Sequence, residues 1–504
     1  MRTICLYFQI HQPFRLKRYR FFNIGNDHYY YDDYLNESIM SRVSERSFLQ
    51  ANKAIGQIIK EFGTQFKVAF SISGTALDQL ELYAPEVIES FQKLAKTGCV
   101  EFLSETYSHS LVSLKNKEEF NRQVNEHRNK IKQLFNQEPK VFRNTELVYS
   151  DRIGADVAEM GFTAMITEGA KHVLGWKSPN YLYCNSINPR LKVLLRNFRV
   201  SDDIAFRFSN TGWSEYPLTA EKFAAWLKKF DKKEETVNLF IDYETFGEHQ
   251  WMESGIFDFL KALPKAVYKL TNFSFSTPSE IADQFLPIST ISVPYPISWA
   301  DEERDLTAWL GNELQVDAFN RLYSITDKVR KIDDEKILKD WKYLQSSDHF
   351  YYMSTKFFSA GATQAYFNPY ETPYDAYINY MNVLSDFILR VNAMVPVSSV
   401  DQNIAELSQV ISEKDDLIQK YEAELKRLKS SKSKIDSVAS VKKTRTKATK
   451  DTKTTKETKA TKTKATKSTS TKTTTRKPAK VSTGGQSAAT ARKKSKTKSA
   501  KGGK

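Results

Sequence analysis

Cysteine is almost absent, with only Cys5, Cys99 and Cys184 in 504 residues. Three scattered thiols cannot build a disulfide framework or a thiolate metal site, so reduced thiols and a cytoplasmic setting are expected. Long apolar runs are missing too. Nowhere do about 18 uninterrupted apolar residues occur, which excludes a membrane-spanning helix and leaves no membrane partner to expect. The opening stretch Met1 to His11 carries one basic residue, a short apolar run broken by Gln9 and no small-residue cleavage site. It reads as a first strand, not as a leader. A third absence emerges when charge is divided along the chain. Residues 441–504 hold 22 Lys and Arg against Asp451 and Glu457, a net of +20, so the +15 of the whole leaves −5 for residues 1–440. Basic character therefore says nothing about the chemistry of the body.

What is present is an alternation of short apolar runs with helical segments. The runs are Ile4 to Ile10, Phe66 to Ile72, Val100 to Leu103, Val141 to Phe142, Phe162 to Ile166, Val193 to Leu195 and Val237 to Ile241. Between them, Ile55, Ile58, Ile59 and Phe62 stand at helical spacing, and Pro85 to Lys96 is closed by Gly98. This is the pattern of an α/β domain with parallel strands, in which about seven strands suit a closed or nearly closed barrel. An open doubly wound sheet has the same periodicity. From about Trp299 the strand runs stop, while Asp317 to Leu344 and Asp375 to Leu389 have helical periodicity. The expected organisation is a barrel over 1–290, a helical region over 291–398, an amphipathic helix or short coiled coil over 399–433, and a disordered Lys- and Thr-rich tail over 434–504. Apolar residues among charges at 401–430 suit self-association. The tail lacks aromatic residues and has too little apolar surface to offset the entropy of ordering. It is either a solvated appendage or a site of weak, sequence-blind polyanion contact.

The chemistry lies at strand ends. In Asn238-Leu-Phe-Ile-Asp-Tyr-Glu-Thr-Phe-Gly-Glu-His249 an apolar run stops in Asp242, Glu244, Glu248 and His249. A parallel strand buried on both faces has no interior place for unpaired charge, so these groups belong at its C-terminal rim, where ligands bind in barrels and open sheets alike. Glu146 follows the run at Val141 and Phe142 in the same way. Two acids at the ends of different strands can converge as the nucleophile and the general acid/base of a retaining glycosidase. His11-Gln-Pro13 closes the first run, with Pro13 ending the strand, and a neutral imidazole there can hydrogen-bond a sugar hydroxyl. Glu101-Phe-Leu-Ser-Glu-Thr-Tyr-Ser-His109 adds polar groups beyond the third run. Each of these taken singly reads equally as a polar residue satisfied by backbone.

The ordered set of motifs resembles glycoside hydrolase family 57, whose members act on α-glucans with retention. His11-Gln-Pro13 is similar to its first motif, Gly98-Cys-Val-Glu-Phe102 to the second, Thr145-Glu146 to the third, Asp242-Tyr-Glu-Thr-Phe-Gly247 to the fourth and Thr277-Pro-Ser-Glu280 to the fifth. Ser298 to Asn312 and Ser347 to Tyr352 look like the helical region of its α-amylase-type members, so the resemblance spans roughly residues 1–390. It departs from the commoner pattern at Glu248-His-Gln-Trp251 and at Arg143-Asn-Thr145.

This resemblance implies a (β/α)7 barrel followed by a helical bundle, α-glucan or maltooligosaccharide as substrate, and no cofactor or metal. It maps the nucleophile onto Glu146 and the acid/base onto Asp242. His11, Glu101 and Glu280 fall on motif positions expected to contact sugar, and His109, Glu244 and His249 join them as candidate substrate contacts. Trp251, Trp299 and Trp309 are candidate platforms for glucose rings, or alternatively core residues. Water as acceptor makes an α-amylase; a sugar hydroxyl makes a 4-α-glucanotransferase or a branching enzyme. Residues 298–312 favour hydrolysis. Two rivals remain: a metal-dependent deacetylase using His11, His109 and His249, although no His-x-x-x-His occurs, and a non-catalytic polyanion-binding protein.

Overall fold

Seven of the apolar runs become the staves of one barrel, because each is buried on both faces and needs a neighbour for every backbone group. A computed structural model describes residues 2–356 and 368–395. Its strands are β1 (Arg2–Ile10), β2 (Val68–Ile72), β3 (Val100–Phe102), β4 (Val141–Arg143), β5 (Ala164–Glu168), β6 (Tyr183–Asn185), β7 (Lys192–Arg196), β8 (Thr236–Asp242), β9 (Phe273–Phe275) and β10 (Thr290–Ile291). Parallel pairing runs β3 to β2 to β1 to β8 and, separately, β4 to β5 to β7. Two seams join these arcs. Ser104 donates to the Val141 carbonyl (3.0 Å) and accepts from the Arg143 amide (2.8 Å), while the Asn197 amide donates to the Asn238 carbonyl (2.9 Å). The result is a closed ring of seven parallel strands.

Three strands have no counterpart in the apolar runs. β9 pairs with the start of β1, below the point where β2 meets it. β6 pairs antiparallel with β7, against the expectation of parallel strands throughout, and β10 extends that flap. All three are two or three residues long, too short for periodicity to register.

The period of two along each strand sorts side chains. Ile4, Leu6, Phe8 and Ile10 of β1 face the helices, and Cys5 and Tyr7 join Ala69, Val141, Ile166, Leu194 and Phe240 in the barrel interior. The helix Pro278–Gln284 contributes Ile281 and Ala282 to that interior core and closes the barrel floor. It starts where it does because Pro278 occupies its first turn and Thr277 and Glu280 cap it reciprocally.

The helical region is real but more broken than its periodicity suggests. The stretch 317–344 divides into Glu313–Tyr323, Thr326–Val329 and Glu335–Leu344, the last begun by the Asp334 carboxylate accepting from the Ile337 amide. With Ser347–Tyr351 and Pro373–Met394 it packs Phe319, Trp341, Phe350 and Phe387 against Phe14, Tyr19 and Tyr30 of the long segment after β1. Burying each such ring is worth about 1.5–3 kcal/mol, which is what fastens the helices over the barrel rim. The Tyr19 amide also donates to Asn379 (2.7 Å) and the Tyr30 hydroxyl to Asp386 (2.6 Å). Cys5, Cys99 and Cys184 are free and buried. No helix among the described residues is long and apolar enough to cross a membrane. The expected helix at 399–433 and tail at 434–504 lie outside the described residues.

Candidate active site

Inward parity places one polar side chain from nearly every stave at the C-terminal rim. Gln9, Arg143, Glu168, Arg196 and Asp242 are the last inward residues of β1, β4, β5, β7 and β8, and Glu105 extends β3 one inward step beyond Leu103. Above this layer opens a cleft of about 860 Å³ between rim and helices, lined by His11, His109, Glu146, Asp242, Glu244, His249, Trp299 and Trp309 among others.

Glu146 and Leu147, just after β4, lie in the left-handed region (φ 55° and 52°), as does His109 in the segment after β3 (φ 50°). Such a backbone costs a non-glycine residue on the order of 1–3 kcal/mol and marks sites held for function. Each carboxylate oxygen of Glu146 has its own donor: His109 Nε2 to Oε1 at 3.0 Å and Trp299 Nε1 to Oε2 at 2.6 Å. His109 Nδ1 donates in turn to Glu105 Oε2 at 3.1 Å, and buried Arg143 donates to Glu105 (3.4 Å) and to Gln9. Burial alone would strip the proton from His109, but hydrogen bonds to Glu105 and Glu146 outweigh it and raise its pKa to about 9. Burial likewise would protonate Glu146. The hydrogen bond and charge of His109, the charge of Arg143 and the indole N–H prevail and hold its pKa below the usual value.

Asp242 is biased the other way. Burial, then the charge of Glu146, raises its pKa to about 6 against the pull of Arg143, Arg196 and His109. Glu244 beside it rises to about 8 through burial and the charge of Asp242, while accepting from Gln12 (3.3 Å). One carboxylate is thus kept ionised and its neighbour is readied to carry a proton.

His11 stacks on His109 with ring centres 3.8 Å apart. Burial and the cationic His109 hold its pKa down, so neutral His11 donates from Nε2 to Asp348 (2.8 Å) and accepts at Nδ1 from Ser73 (2.7 Å). Burial also keeps His249 neutral. Among the described residues no group of three His, Cys, Asp or Glu is arranged to hold a metal ion.

Three expected contacts stand elsewhere. Glu101 sits low in the barrel, level with Ala69, and accepts from the Ser279 amide (3.0 Å) at the start of the floor helix. Glu280 caps that helix and pairs with Lys67. Trp251 is 66% exposed and does not line the cleft. Trp309 is buried at the cleft wall, and Trp299 serves as hydrogen-bond donor to Glu146 with the Arg143 and Arg196 guanidinium carbons each 5.6 Å from its ring.

Sequence reasoning missed Glu105, Glu168, Arg196 and Asp348. For Glu168 and Arg196 a signal existed: each is the next inward residue after an apolar run, in step with Ile166 and Leu194. Asp348 lies in the segment Ser347 to Tyr352, but nothing local points it at His11, 337 residues away.

The sequence profile of glycosyl hydrolase family 57 matches residues 5–294. A Methanocaldococcus jannaschii protein named "Putative alpha-amylase" is 41% identical over 427 residues, covering 82% of this chain and 90% of that protein. The fold resembles a family 57 branching enzyme from Thermococcus kodakaraensis (TM-score 0.56, 12% identity, 77% of this chain and 90% of the other). It also resembles an α-amylase from Thermotoga maritima (TM-score 0.51, 14% identity, 79% and 95%). Against a Thermococcus litoralis 4-α-glucanotransferase the TM-score is 0.52 at 17% identity, over 69% of this chain but only 56% of the longer enzyme. From the profile and the Methanocaldococcus relative, the chain belongs to glycosyl hydrolase family 57.

Proposed function

We propose that this glycoside hydrolase cleaves α-1,4-glucans with retention, Glu146 acting as nucleophile and Asp242 as acid/base. The observation that carries the reading is a pair of cleft carboxylates whose surroundings bias them in opposite directions: Glu146 gripped by a donor on each oxygen, Asp242 buried beside its negative charge and pushed up to about 6. Asp242 donates its proton to the glycosidic oxygen as Glu146 attacks the anomeric carbon, giving a covalent glycosyl-enzyme. Esterification removes the charge of Glu146, so the pKa of Asp242 falls and it can deprotonate the incoming water. His11 and His249, both neutral, suit hydrogen bonding to sugar hydroxyls, and Glu244 supports the rim beside Asp242. The 41% identical relative named as an α-amylase supports water as acceptor.

The test is incubation with maltooligosaccharides and with amylose, products being read by chain length and linkage. Shorter products alone are expected; longer ones would mark a glucanotransferase and new 1,6 linkages a branching enzyme. Glu146→Gln is expected to lose about 1,000-fold or more in kcat, and full activity in it would refute the nucleophile.

A further inference from the structure

Trp299 is bound to the nucleophile twice, its indole N–H on Oε2 and its amide on the Glu146 carbonyl at 3.2 Å. It comes from a turn in the helical region, and a turn on the surface of a cleft is not rigid by default. What fixes this one is Arg304. Its guanidinium donates to the Trp299 carbonyl and faces Glu168 (3.7 Å) and Asp202 (3.6 Å). Those two acids also hold Arg196, at 3.1 and 2.5 Å, and Arg196 is anchored to β8 through the Phe240 carbonyl (2.8 Å). The chain of contacts therefore runs from the barrel wall through two acids and Arg304 to Trp299. The turn itself is strained, with Asp301 and Arg304 both at φ 53°, and is closed by Ser298, whose amide donates to the Arg304 carbonyl (3.2 Å) and whose hydroxyl donates to the Asp305 carbonyl (2.5 Å). A planar fork reaching three acceptors is a task for arginine that lysine cannot copy.

We propose that Arg304 is a positioning residue for the nucleophile, acting through Trp299 to keep an N–H on one oxygen of Glu146. This rests on the reading of Glu146 as nucleophile. Arg304 makes no contact with Glu146 itself; the charged groups that face that carboxylate are His109, Arg143 and Asp242.

The experiment is a double-mutant cycle of Trp299→Phe and Arg304→Gln on maltoheptaose, with Arg304→Lys beside it. Trp299→Phe removes a hydrogen bond to a charged group and is expected to lower kcat about 10- to 100-fold. Arg304→Gln is expected to lower kcat about 5- to 30-fold with KM within about twofold, to move the acid limb of kcat/KM to higher pH, and to cost nothing further in the Trp299→Phe background. Arg304→Lys is expected to behave like Arg304→Gln. Additive losses in the cycle, or an unmoved acid limb, would overturn the proposal. A readout without substrate keeps the two readings apart: isotope-edited infrared titration of the Glu146 carboxylate, assigned with Glu146→Gln. A shift of that titration in Arg304→Gln supports the positioning role even if no α-glucan is turned over, and no shift overturns it even if Glu146→Gln is inactive.

Discussion

At the scale of the residue, the cleft sets apart two carboxylates that are chemically almost alike. Glu146 is surrounded by donors and cations, so ionisation is favoured despite burial; Asp242 has burial and a neighbouring anion, so it is not. The ordinary pKa of Asp242 is 3.8 and its folded value about 6, so the folded state binds the proton more tightly than the unfolded chain. Stability from this group is fully present below 3.8 and is lost as pH rises through 6, where burying an ionised carboxylate becomes a cost. Asp242→Asn is therefore expected to raise Tm by a few degrees at pH 7 and to leave it unchanged at pH 3.5, as calorimetry would show. In the proposed mechanism Asp242 enters turnover protonated, so kcat/KM of the parent should fall as pH rises through about 6, and that limb should be missing from whatever activity Asp242→Asn retains. A Tm lowered at both pH values would mean that Asp242 is held by contacts that favour its charge.

At the scale of the element, the strand ends decide which polar residues can act. Apolar runs betrayed the seven staves because strands buried on both faces admit few polar residues, and the acids that end β8 and follow β4 were legible for the same reason. Register was not legible, and Glu101 shows why. It points inward like Glu105, yet four residues at about 3.3 Å each put it roughly 13 Å lower, at the floor helix rather than the rim. Glu280 misled differently: a Thr-Pro-Ser-Glu stretch is a helix start before it is anything else. Glu280→Ala is accordingly expected to lower stability by about 1 kcal/mol, through the lost reciprocal cap, with kcat/KM within about twofold of the parent. Chemical denaturation and steady-state rates measured together check it, and a selective loss of activity would return Glu280 to the substrate. The short strands β6, β9 and β10 left no trace in the periodicity.

At the scale of the whole molecule, one polar cleft is assembled from parts far apart in sequence. The barrel supplies Glu146, Asp242 and His109; the helical region supplies Trp299 to Glu146 and Asp348 to His11. Local reading could recognise Trp299 as a residue of interest but not its partner, because 153 residues separate it from Glu146 and the contact exists only once the helices are seated on the rim. The same seating makes the cleft, since its wall carries Trp309, Tyr351 and Tyr352 opposite the strand ends. In the proposed reaction Glu146 forms a covalent bond to sugar within this cleft. That bond is tested most directly by trapping: reaction with a 5-fluoro-α-glucosyl fluoride slows deglycosylation, and peptide mass spectrometry then locates the label. One hexosyl adduct is expected, on Glu146 within the tryptic peptide 144–152; an adduct on another carboxylate, or turnover of the reagent with inversion and no adduct, would contradict the assignment of Glu146 as nucleophile.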